Sequence, residues 1–334
     1  MLEFYIGDDN IALTIMSRTK RYHILLTSSD LLGPKGEALQ TFLTFKASMH
    51  YDPQAMEAFQ DWLVAPCIPL THIATPCPQV PTLAEYFAPE TTIIKLANEG
   101  GRLVAEGCPD DTSVTDSLVL KISQSEPLVV EALAQGVPCV EAERLRTVME
   151  EGAWEADYDL IPHTVEVVGN EEEQKRCYFK GAFEQGSFMR ELDVLLRFRT
   201  DSFFDDVRVS RLADLVTSID HAILVLLVDF IPGSQTIESA ILSSSTAPRH
   251  EWARRVRHIV ETLHSRDIVW GNVNPDNILI DEKGGAWVTD FSGGRVEGWV
   301  NRHIEGTLEG DLQGLGNVET MLGVESGECE GSGD

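Results

Sequence analysis

Two polar residues that suit a divalent cation bracket a short apolar pattern in the C-terminal half of the chain. Asn277 precedes the apolar run Ile278–Ile280, and Asp290 follows the run Ala286–Thr289. The segment Asp281–Gly285 between the runs is typical of a turn, so the pattern predicts a β-hairpin. Because the outer ends of a hairpin lie side by side, the Asn277 amide and the Asp290 carboxylate should lie close together. Mg²⁺ prefers such oxygen ligands, and we predict a magnesium site here.

A lysine and a glutamate further upstream form a second candidate pair. The segment Arg176–Lys180 alternates like a strand, and Ser187 is a suitable N-cap for the helix that follows. Glu191 lies beside the apolar stripe of that helix, which consists of Phe188, Leu192, Leu195 and Leu196. Only a short glycine-flanked turn separates strand and helix, so we predict an ion pair between Lys180 and Glu191. Taken alone, these residues also fit an ordinary strand with a lysine at its edge.

Two longer elements lead from this pair to the hairpin. The apolar run Ala222–Ile231 predicts a buried strand that ends at Pro232. The segment Pro248–Ser265 predicts an amphipathic helix, which ends shortly before the polar loop that leads to Asn277. The apolar face of that helix consists of Trp252, Val256, Ile259, Val260 and Leu263.

The order of these features resembles the protein-kinase-like superfamily. Asn277, the hairpin and the Asp-Phe-Ser-Gly sequence of Asp290–Gly293 are similar to the catalytic loop and the metal-binding loop of that family. Two registers compete for the catalytic loop. One aligns Arg266 and Asp267 with the family's His-Arg-Asp motif, but the strand that must follow would then contain Pro275. Proline cannot donate a hydrogen bond within a sheet, so we adopt the register in which Asn277 is the metal-binding asparagine.

In this register the catalytic positions depart from the family pattern. Asn272 stands where the family has its catalytic aspartate, and Asn274 stands where a lysine is usual. An amide cannot take the proton of a substrate hydroxyl, although it can orient that hydroxyl by hydrogen bonding. The resemblance therefore implies that Asn272 and Asn274 are the catalytic residues of a slow or inactive phosphotransferase.

The resemblance also implies a site for ATP and Mg²⁺. Lys180 would contact the phosphates and Glu191 would hold the lysine, while Asn277 and Asp290 would bind the magnesium ion. The backbone at the end of the apolar strand would hydrogen-bond the base. The residues concerned are Asp229, Phe230 and Ile231. The same strand also fits a buried core element without a ligand.

Sequence beyond the hairpin extends the resemblance over residues 140–322. The loop, together with Gly298–Val300 and Gly306–Leu315, is similar to a group of fungal kinase-like proteins with a G-D-x-K-P-D-N loop. Asp311 would be the buried aspartate that braces the catalytic loop. The chain has no G-x-G-x-x-G motif before Lys180 and no A-P-E motif, and few residues follow Asp311. We therefore expect a truncated C-lobe.

These inferences define an expected fold class and domain organisation. We expect an α+β chain with a two-lobed protein-kinase-like fold, a truncated C-lobe and an additional N-terminal β-rich segment. The expected divisions are an N-terminal α/β region over 1–115 and a kinase-like N-lobe with hinge over 116–231. A minimal C-lobe would span 232–324, and a disordered acidic tail would span 325–334.

The N-terminal region has no catalytic constellation but has clear local patterns. Alternation over Phe4–Ile6, Ile11–Ile15 and Tyr22–Leu26 predicts three short strands. The Asp52–Pro53 pair predicts the start of a helix. The segment Pro66–Pro81 is rich in proline and cysteine, which predicts an irregular conformation.

Composition limits the partners and the location of the protein. The 334 residues include 54 acidic and 26 basic side chains, for a formal net charge of −28. This charge disfavours nucleic acid and anionic membranes as partners. No apolar run reaches the roughly 18 residues of a membrane helix, and the N-terminus lacks the layout of a signal peptide. The six cysteines include no C-x-x-C pair, so we expect reduced thiols in a cytoplasmic or nuclear protein that is not secreted.

Three functions fit the sequence. The first is an ATP-binding pseudokinase, or a weakly active phosphotransferase, that acts through an unknown protein partner. The second is an active kinase-like enzyme that transfers phosphate from ATP to a small-molecule acceptor or a protein hydroxyl. The third is a scaffold that binds no nucleotide. The retained Lys180, Glu191, Asn277 and Asp290, beside the lost aspartate at position 272, favour the first.

Overall fold

The computed structural model describes residues 3–6, 10–17, 20–32, 37–48, 53–71, 81–108, 119–148, 163–167, 175–242, 244–294 and 298–324. Contacts divide the chain into two units. The first unit comprises residues 1–118 and 143–163, and the second comprises residues 119–142 and 164–334. The segment 325–334, predicted to be an acidic tail, lies outside the described residues. The predicted domain boundaries stay a prediction.

Helices and strands are mixed along the chain. The helices are α1 (Glu37–Ser48), α2 (Pro53–Val64), α3 (Ile68–Thr71), α4 (Leu83–Phe87), α5 (Pro127–Ala134), α6 (Gln185–Thr200), α7 (Ile237–Leu242), α8 (Thr246–His264) and α9 (Leu308–Leu322). The strands are β1 (Glu3–Ile6), β2 (Asn10–Ser17), β3 (Lys20–Thr27), β4 (Thr91–Glu99), β5 (Arg102–Cys108), β6 (Cys139–Glu141), β7 (Leu145–Val148), β8 (Thr164–Val167), β9 (Arg176–Gly181), β10 (Leu212–Thr217), β11 (Ile223–Asp229), β12 (Gln235–Thr236), β13 (Ile278–Ile280) and β14 (Ala286–Val288). Among the described helices, none combines the length and the apolar character needed to cross a membrane.

The first unit is built on a sheet in the order β1-β2-β3-β4-β5. Its neighbouring strands are antiparallel, except that β3 and β4 run parallel. A parallel pair needs a long crossover connection, and α1 and α2 lie within that connection. The three predicted N-terminal strands and the helix at Pro53 are confirmed. The inner faces of β2 and β3 pack on Phe59 and Leu63 of α2 to form the core of this unit.

The first part of the segment Pro66–Pro81 is helical, so the prediction of an irregular conformation is wrong there. A 3-10 helix over Ala65–Cys67 leads directly into α3. Proline is tolerated in a first helical turn because the missing N–H would have no partner at that position. Cys67 and Thr71 are buried, and Cys67 belongs to the core of the first unit. Residues 72–80 lie outside the described part of the chain.

The second unit begins with a sheet in which the order β6-β10-β11-β9-β8 is observed. The strands from β10 to β8 pair antiparallel, whereas β6 pairs parallel with β10. The apolar run Ala222–Ile231 forms the central strand β11, of which every residue except Asp229 is buried. Burial on both faces is the reason why this strand is continuously apolar and does not alternate.

Helices and the predicted hairpin complete the second unit. Strands β13 and β14 pair as predicted, with Ile278 opposite Val288 and Ile280 opposite Ala286. Helix α8 buries the predicted apolar face. One core connects the sheet, α6, α8, α9 and the hairpin. The chain is therefore an α+β protein whose elements are compatible with a two-lobed kinase-like fold.

The start of helix α6 differs from the prediction. The helix begins at Gln185, and its N-cap is Glu184. The Glu184 carboxylate accepts hydrogen bonds from the backbone N–H groups of Gly186 at 2.9 Å and Ser187 at 2.5 Å. These bonds lower the pKa of Glu184. Ser187 lies within the first turn, so its prediction as the cap is wrong. A carboxylate also complements the positive end of the helix dipole, which a serine hydroxyl cannot do.

Candidate functional site

One lysine and two carboxylates meet within the second unit. Lys180 Nζ lies 2.7 Å from Glu191 Oε1 and 3.0 Å from Asp290 Oδ1. The predicted ion pair between Lys180 and Glu191 is therefore present, and Asp290 joins it from the loop after β14. The Glu191 side chain is 3% exposed, whereas Lys180 and Asp290 are 25% and 26% exposed. The buried glutamate thus holds the lysine, and the other two groups remain open to a ligand.

Burial and charge act against each other in this cluster. Burial alone would lower the pKa of Lys180, but the charges of Glu191 and Asp290 raise it. Burial alone would raise the pKa of Asp290, but the charge of Lys180 and hydrogen bonds from Ser292 lower it. Burial raises the pKa of Glu191, and Lys180 opposes that shift. At neutral pH the site therefore presents an ammonium group beside an ionised aspartate.

The Asp290 carboxylate is fixed at both oxygens. Its Oδ1 accepts hydrogen bonds from the Ser292 backbone N–H at 3.1 Å and the Ser292 hydroxyl at 2.6 Å. Its Oδ2 accepts a hydrogen bond from Asn272 Nδ2 at 3.2 Å. The Asp290 backbone has a φ of 61°, which is uncommon for a residue other than glycine. Such a conformation persists only where the surroundings enforce it.

Contacts of Phe291 help to enforce the backbone conformation of Asp290. Its side chain is fully buried, and its ring lies edge-on to Phe198 of α6, with the ring centroids 4.9 Å apart. Its backbone N–H donates a hydrogen bond to Glu191 Oε1 at 3.3 Å. Because Phe291 directly follows Asp290, the contacts of Phe291 with helix α6 fix the course of the backbone at Asp290, where the chain continues from the hairpin.

Three asparagines share a hydrogen-bond network beside Asp290. Asn274 Nδ2 donates to the backbone oxygen of Asn272 at 3.1 Å and to its side-chain oxygen at 3.0 Å. Asn277 Nδ2 donates to the same backbone oxygen at 2.9 Å. Asn274 is 2% exposed and also accepts a hydrogen bond from the Asp276 N–H. The geometry makes Asn274 a buried support for Asn272, and the predicted catalytic role of both residues stays a prediction.

The residues fit a magnesium ion that arrives with phosphate. The backbone oxygen of Asn277 accepts the Thr289 N–H at 2.9 Å, so Asn277 and Asp290 lie at adjacent ends of the hairpin as predicted. The described residues contain no cluster of three or more His, Cys, Asp or Glu side chains able to hold a metal. The protein would thus supply one carboxylate and one amide oxygen. Mg²⁺ is commonly bound by one or two carboxylates together with substrate phosphates and water.

Asp311 anchors the loop that carries Asn272. It is 1% exposed and lies in the first turn of α9. Its two carboxylate oxygens accept the backbone N–H groups of Trp270 and Gly271, each at 2.7 Å. His264, at the end of α8, contacts it through Nε2 at 2.9 Å. These bonds match the brace that the resemblance implies for Asp311.

The segment 229–231 begins at the last residue of β11, and two of its backbone groups already have hydrogen-bond partners. The Asp229 N–H donates a hydrogen bond to the backbone oxygen of Arg211 at 3.0 Å, so it is not free for a base. The backbone oxygen of Ile231 accepts the Ser234 N–H at 3.3 Å. Contacts from Asp229, Phe230 and Ile231 to a base stay a prediction.

Sequence reasoning missed an aromatic pair beside this segment. Lys180 lies opposite Leu226 in the sheet, and Tyr178 lies opposite Val228. Lys180 and Tyr178 therefore share one face of β9, because side chains alternate along a strand. The Tyr178 ring centroid lies 5.1 Å from that of Phe230. The period of two along β9 was the sequence signal that could have identified Tyr178.

Comparison with known proteins gives a weak and partial match. No protein-family model matches the chain. A curated mouse (Mus musculus) protein, the cAMP-dependent protein kinase catalytic subunit PRKX, is 34% identical over 80 residues. That stretch is 23% of this chain and 22% of the mouse protein, so the chain spans about a fifth of the length of its relative. Together with the fold, the match supports a protein-kinase-like relationship.

Proposed function

We propose that the second unit is an ATP-binding, protein-kinase-like domain that acts as a pseudokinase or a weakly active phosphotransferase. The observation that carries this proposal is the position of Lys180 Nζ between Glu191 at 2.7 Å and Asp290 at 3.0 Å. A purely structural ion pair would need only one carboxylate. Two carboxylates of unequal burial around one lysine leave a charged surface that a magnesium–phosphate group complements.

Each residue of the site has a distinct task in this proposal. Lys180 binds phosphate oxygens, and the buried Glu191 holds the ammonium group in place. Asp290 and Asn277 supply hard oxygen ligands, and bound Mg²⁺ would neutralise charge on the phosphates. Because both carboxylate oxygens of Asp290 are hydrogen-bonded, its orientation is set before a ligand arrives. Such preorganisation lowers the cost of binding.

Asn272 limits the chemistry that the site can perform on a bound nucleotide. Its amide lies 3.2 Å from Asp290, so it can orient a hydroxyl beside the bound metal and phosphate. It cannot take the proton of that hydroxyl. Phosphoryl transfer depends largely on positioning and charge stabilisation, so a slow reaction is compatible with these residues. The acceptor, a small molecule or a protein hydroxyl, and any protein partner belong to this proposal as well.

The test is a thermal melt of the purified protein with and without Mg-ATP. Ligand at about 100 times Kd stabilises a folded protein by about 2.7 kcal/mol, so we expect a clear rise in Tm. Asp290→Asn, which keeps the shape of the side chain, should remove most of that rise. Asp220→Asn is the matched control, because it makes the same change at a carboxylate between β10 and β11 that is 54% exposed. It should keep the full rise.

The same melt separates the proposed functions. A parent protein whose Tm is unchanged by ATP, ADP or GTP, with Mg²⁺ or Mn²⁺, would contradict the proposal and leave a scaffold without nucleotide. A Tm rise that survives Asp290→Asn but is lost in Asp220→Asn would place the nucleotide elsewhere. Turnover of ATP that grows with an added acceptor would favour the active enzyme over the pseudokinase.

A further inference from the structure

Arg190, the residue before Glu191 on helix α6, reaches into both loops of the candidate site. Its Nη2 donates hydrogen bonds to the backbone oxygens of Val269 at 2.7 Å and Trp270 at 3.1 Å. Its Nη1 donates to the backbone oxygen of Phe291. One guanidinium thus joins the helix to the loop of the predicted catalytic residues and to the loop of Asp290.

Two glycines make room for this guanidinium. Gly271 and Gly293 have φ values of 78° and 79°. A Cβ atom on Gly271 would lie 2.6 Å from Nη2 of Arg190, and one on Gly293 would lie 3.3 Å from Nη1. A larger residue at position 271 would therefore have to displace the guanidinium. Both loops are shaped to receive Arg190, which distinguishes it from a surface arginine that happens to reach a carbonyl.

The charge of Arg190 is held among carboxylates. Burial lowers the pKa of Arg190, whereas the nearby charges of Asp311, Glu191 and Asp290 raise it. An arginine remains protonated throughout the physiological range. Its planar fork can serve several carbonyl oxygens at once, whereas a lysine presents a compact point charge on a flexible stem. The three acceptors from two loops therefore require arginine rather than any cation.

We propose that Arg190 is the positioning residue that keeps the Asp290 carboxylate beside Lys180 before any ligand binds. The two neighbours on helix α6 hold Phe291 from both sides of its backbone: Glu191 accepts its N–H and Arg190 donates to its oxygen. Asp290 directly precedes this clamped residue, so its carboxylate has little freedom to move away from Lys180. We call the two hydrogen bonds to the Phe291 backbone the clamp. The effect on nucleotide affinity rests on the proposed function, whereas the clamp does not.

Helix α6 contains a matched control for Arg190. Arg197 lies nearer the C-terminal end of the same helix. It donates hydrogen bonds to the backbone oxygens of Arg266 at 2.6 Å and Asp267 at 3.5 Å. Arg197 therefore also links α6 to the beginning of the catalytic loop, but these two bonds do not reach the Asp290 loop. Substitution of either arginine removes hydrogen bonds between helix α6 and a loop. Only substitution of Arg190 should change the amide exchange of Phe291.

The first experiment measures the clamp without nucleotide. Amide hydrogen exchange at Phe291 is compared in the parent, Arg190→Met, Arg190→Lys and Arg197→Met at equal temperature and pH. We expect Arg190→Met to exchange about tenfold faster at Phe291, equivalent to about 1.4 kcal/mol of local protection. Arg190→Lys should lie between it and the parent, and provides the test if the methionine variant does not fold. Arg197→Met should match the parent at Phe291.

The second experiment measures the consequence for the site. Mg-ATP affinity is determined by titration for the same four proteins. We expect Kd to rise about tenfold in Arg190→Met, by less in Arg190→Lys, and not at all in Arg197→Met. Unchanged exchange at Phe291 in both Arg190 variants, or an equal increase in Arg197→Met, would overturn the proposal. A parent that binds no nucleotide would refute the proposed function, while the exchange data would still decide the role of Arg190.

Discussion

At the scale of single residues, the proposed function makes Asn272 the residue that limits catalysis. Its side-chain oxygen accepts a hydrogen bond from Asn274 at 3.0 Å, and its nitrogen donates to Asp290 Oδ2 at 3.2 Å. An aspartate at this position would keep the first bond. It would replace the second by a contact between two carboxylates, because the donated hydrogen is lost. The change is therefore conservative in shape but not in charge.

We predict that Asn272→Asp lowers the stability of the free protein and raises its turnover. Like charges at this distance should cost about 1 kcal/mol or more, since Lys180 compensates for only part of the added charge. Mg-ATP should restore the loss in Tm, and ATP turnover should rise at least about tenfold, because a positioned base is then present. Thermal melts and ATP hydrolysis assays measure both effects.

Asn301→Asp is the control, because it adds the same charge at an exposed position outside the cluster of Lys180. It should change neither the Tm shift produced by Mg-ATP nor the rate of ATP turnover. Equal, background turnover in Asn272→Asp and the parent would show that the missing aspartate is not what limits the reaction. Adding Asn274→Lys should not help, because Asn274 is 2% exposed and lysine cannot accept the hydrogen bond that Asp276 donates to it.

At the scale of elements, one face of strand β9 carries two residues with opposite expected effects on ATP binding. Lys180 and Tyr178 are two residues apart, or roughly 6.6 Å along a strand. If phosphates lie at Lys180 and the base lies near the segment 229–231, then Tyr178 stands between the two positions. Side chains on a strand project nearly perpendicular to the sheet. Under the proposed function, the Tyr178 ring, packed on Phe230, would therefore narrow the space for the base.

We predict that Tyr178→Ala raises the affinity for ATP about tenfold and leaves the affinity for inorganic tripolyphosphate unchanged. The smaller side chain opens the base position, and the phosphate contacts of Lys180 stay as they are. A tenfold change corresponds to about 1.4 kcal/mol. Isothermal titration of both ligands in the presence of Mg²⁺ makes the comparison.

Phe183→Ala serves as the matched control, since Phe183 is an aromatic residue just after β9 that is 64% exposed. It should leave both affinities at the parent values. Weaker ATP binding in Tyr178→Ala would mean that the base stacks on the tyrosine, which contradicts the blocking role. A parallel change for tripolyphosphate would mean that the substitution disturbs the whole strand.

At the scale of the whole molecule, acidic charge dominates. A formal net charge of −28 on 334 residues implies that exposed carboxylates repel one another throughout the folded chain. The ion pairs of the candidate site are partly buried and are screened much less by salt than surface charges are. Moderate salt should therefore relieve the general repulsion more than it weakens the cluster around Lys180.

We predict that raising NaCl from about 10 mM to about 200 mM increases Tm by about 2–5 °C. The gain comes from screening, so little further change is expected between about 0.3 M and 0.6 M, where the screening length is already short. Differential scanning fluorimetry across the series gives the curve. A Tm that falls over the first interval would show that ion pairs outweigh the repulsion.

Local patterns accounted for most of the elements near the site. The period of alternation located β9, the continuous apolar run located β11, and the helical spacing located α8. The hairpin was visible because a turn separates two short apolar runs. These features depend on residues close together in sequence, so they can be read without the fold. The cap at Glu184 was missed because serine is the commoner cap and both residues stand near the start of α6.

The sequence by itself determined which chemical groups the chain contains and the order in which its strands, helices and loops present them. It therefore established a lysine, a glutamate, two polar residues whose oxygen atoms suit a cation, and an asparagine where the resemblance expects an aspartate. Only the tertiary structure decided how they meet. The contacts of Lys180 with Asp290 and of Arg190 with two loops join residues far apart in the chain. Such contacts depend on how the sheet, α6 and the hairpin pack together, and no local spacing encodes that packing.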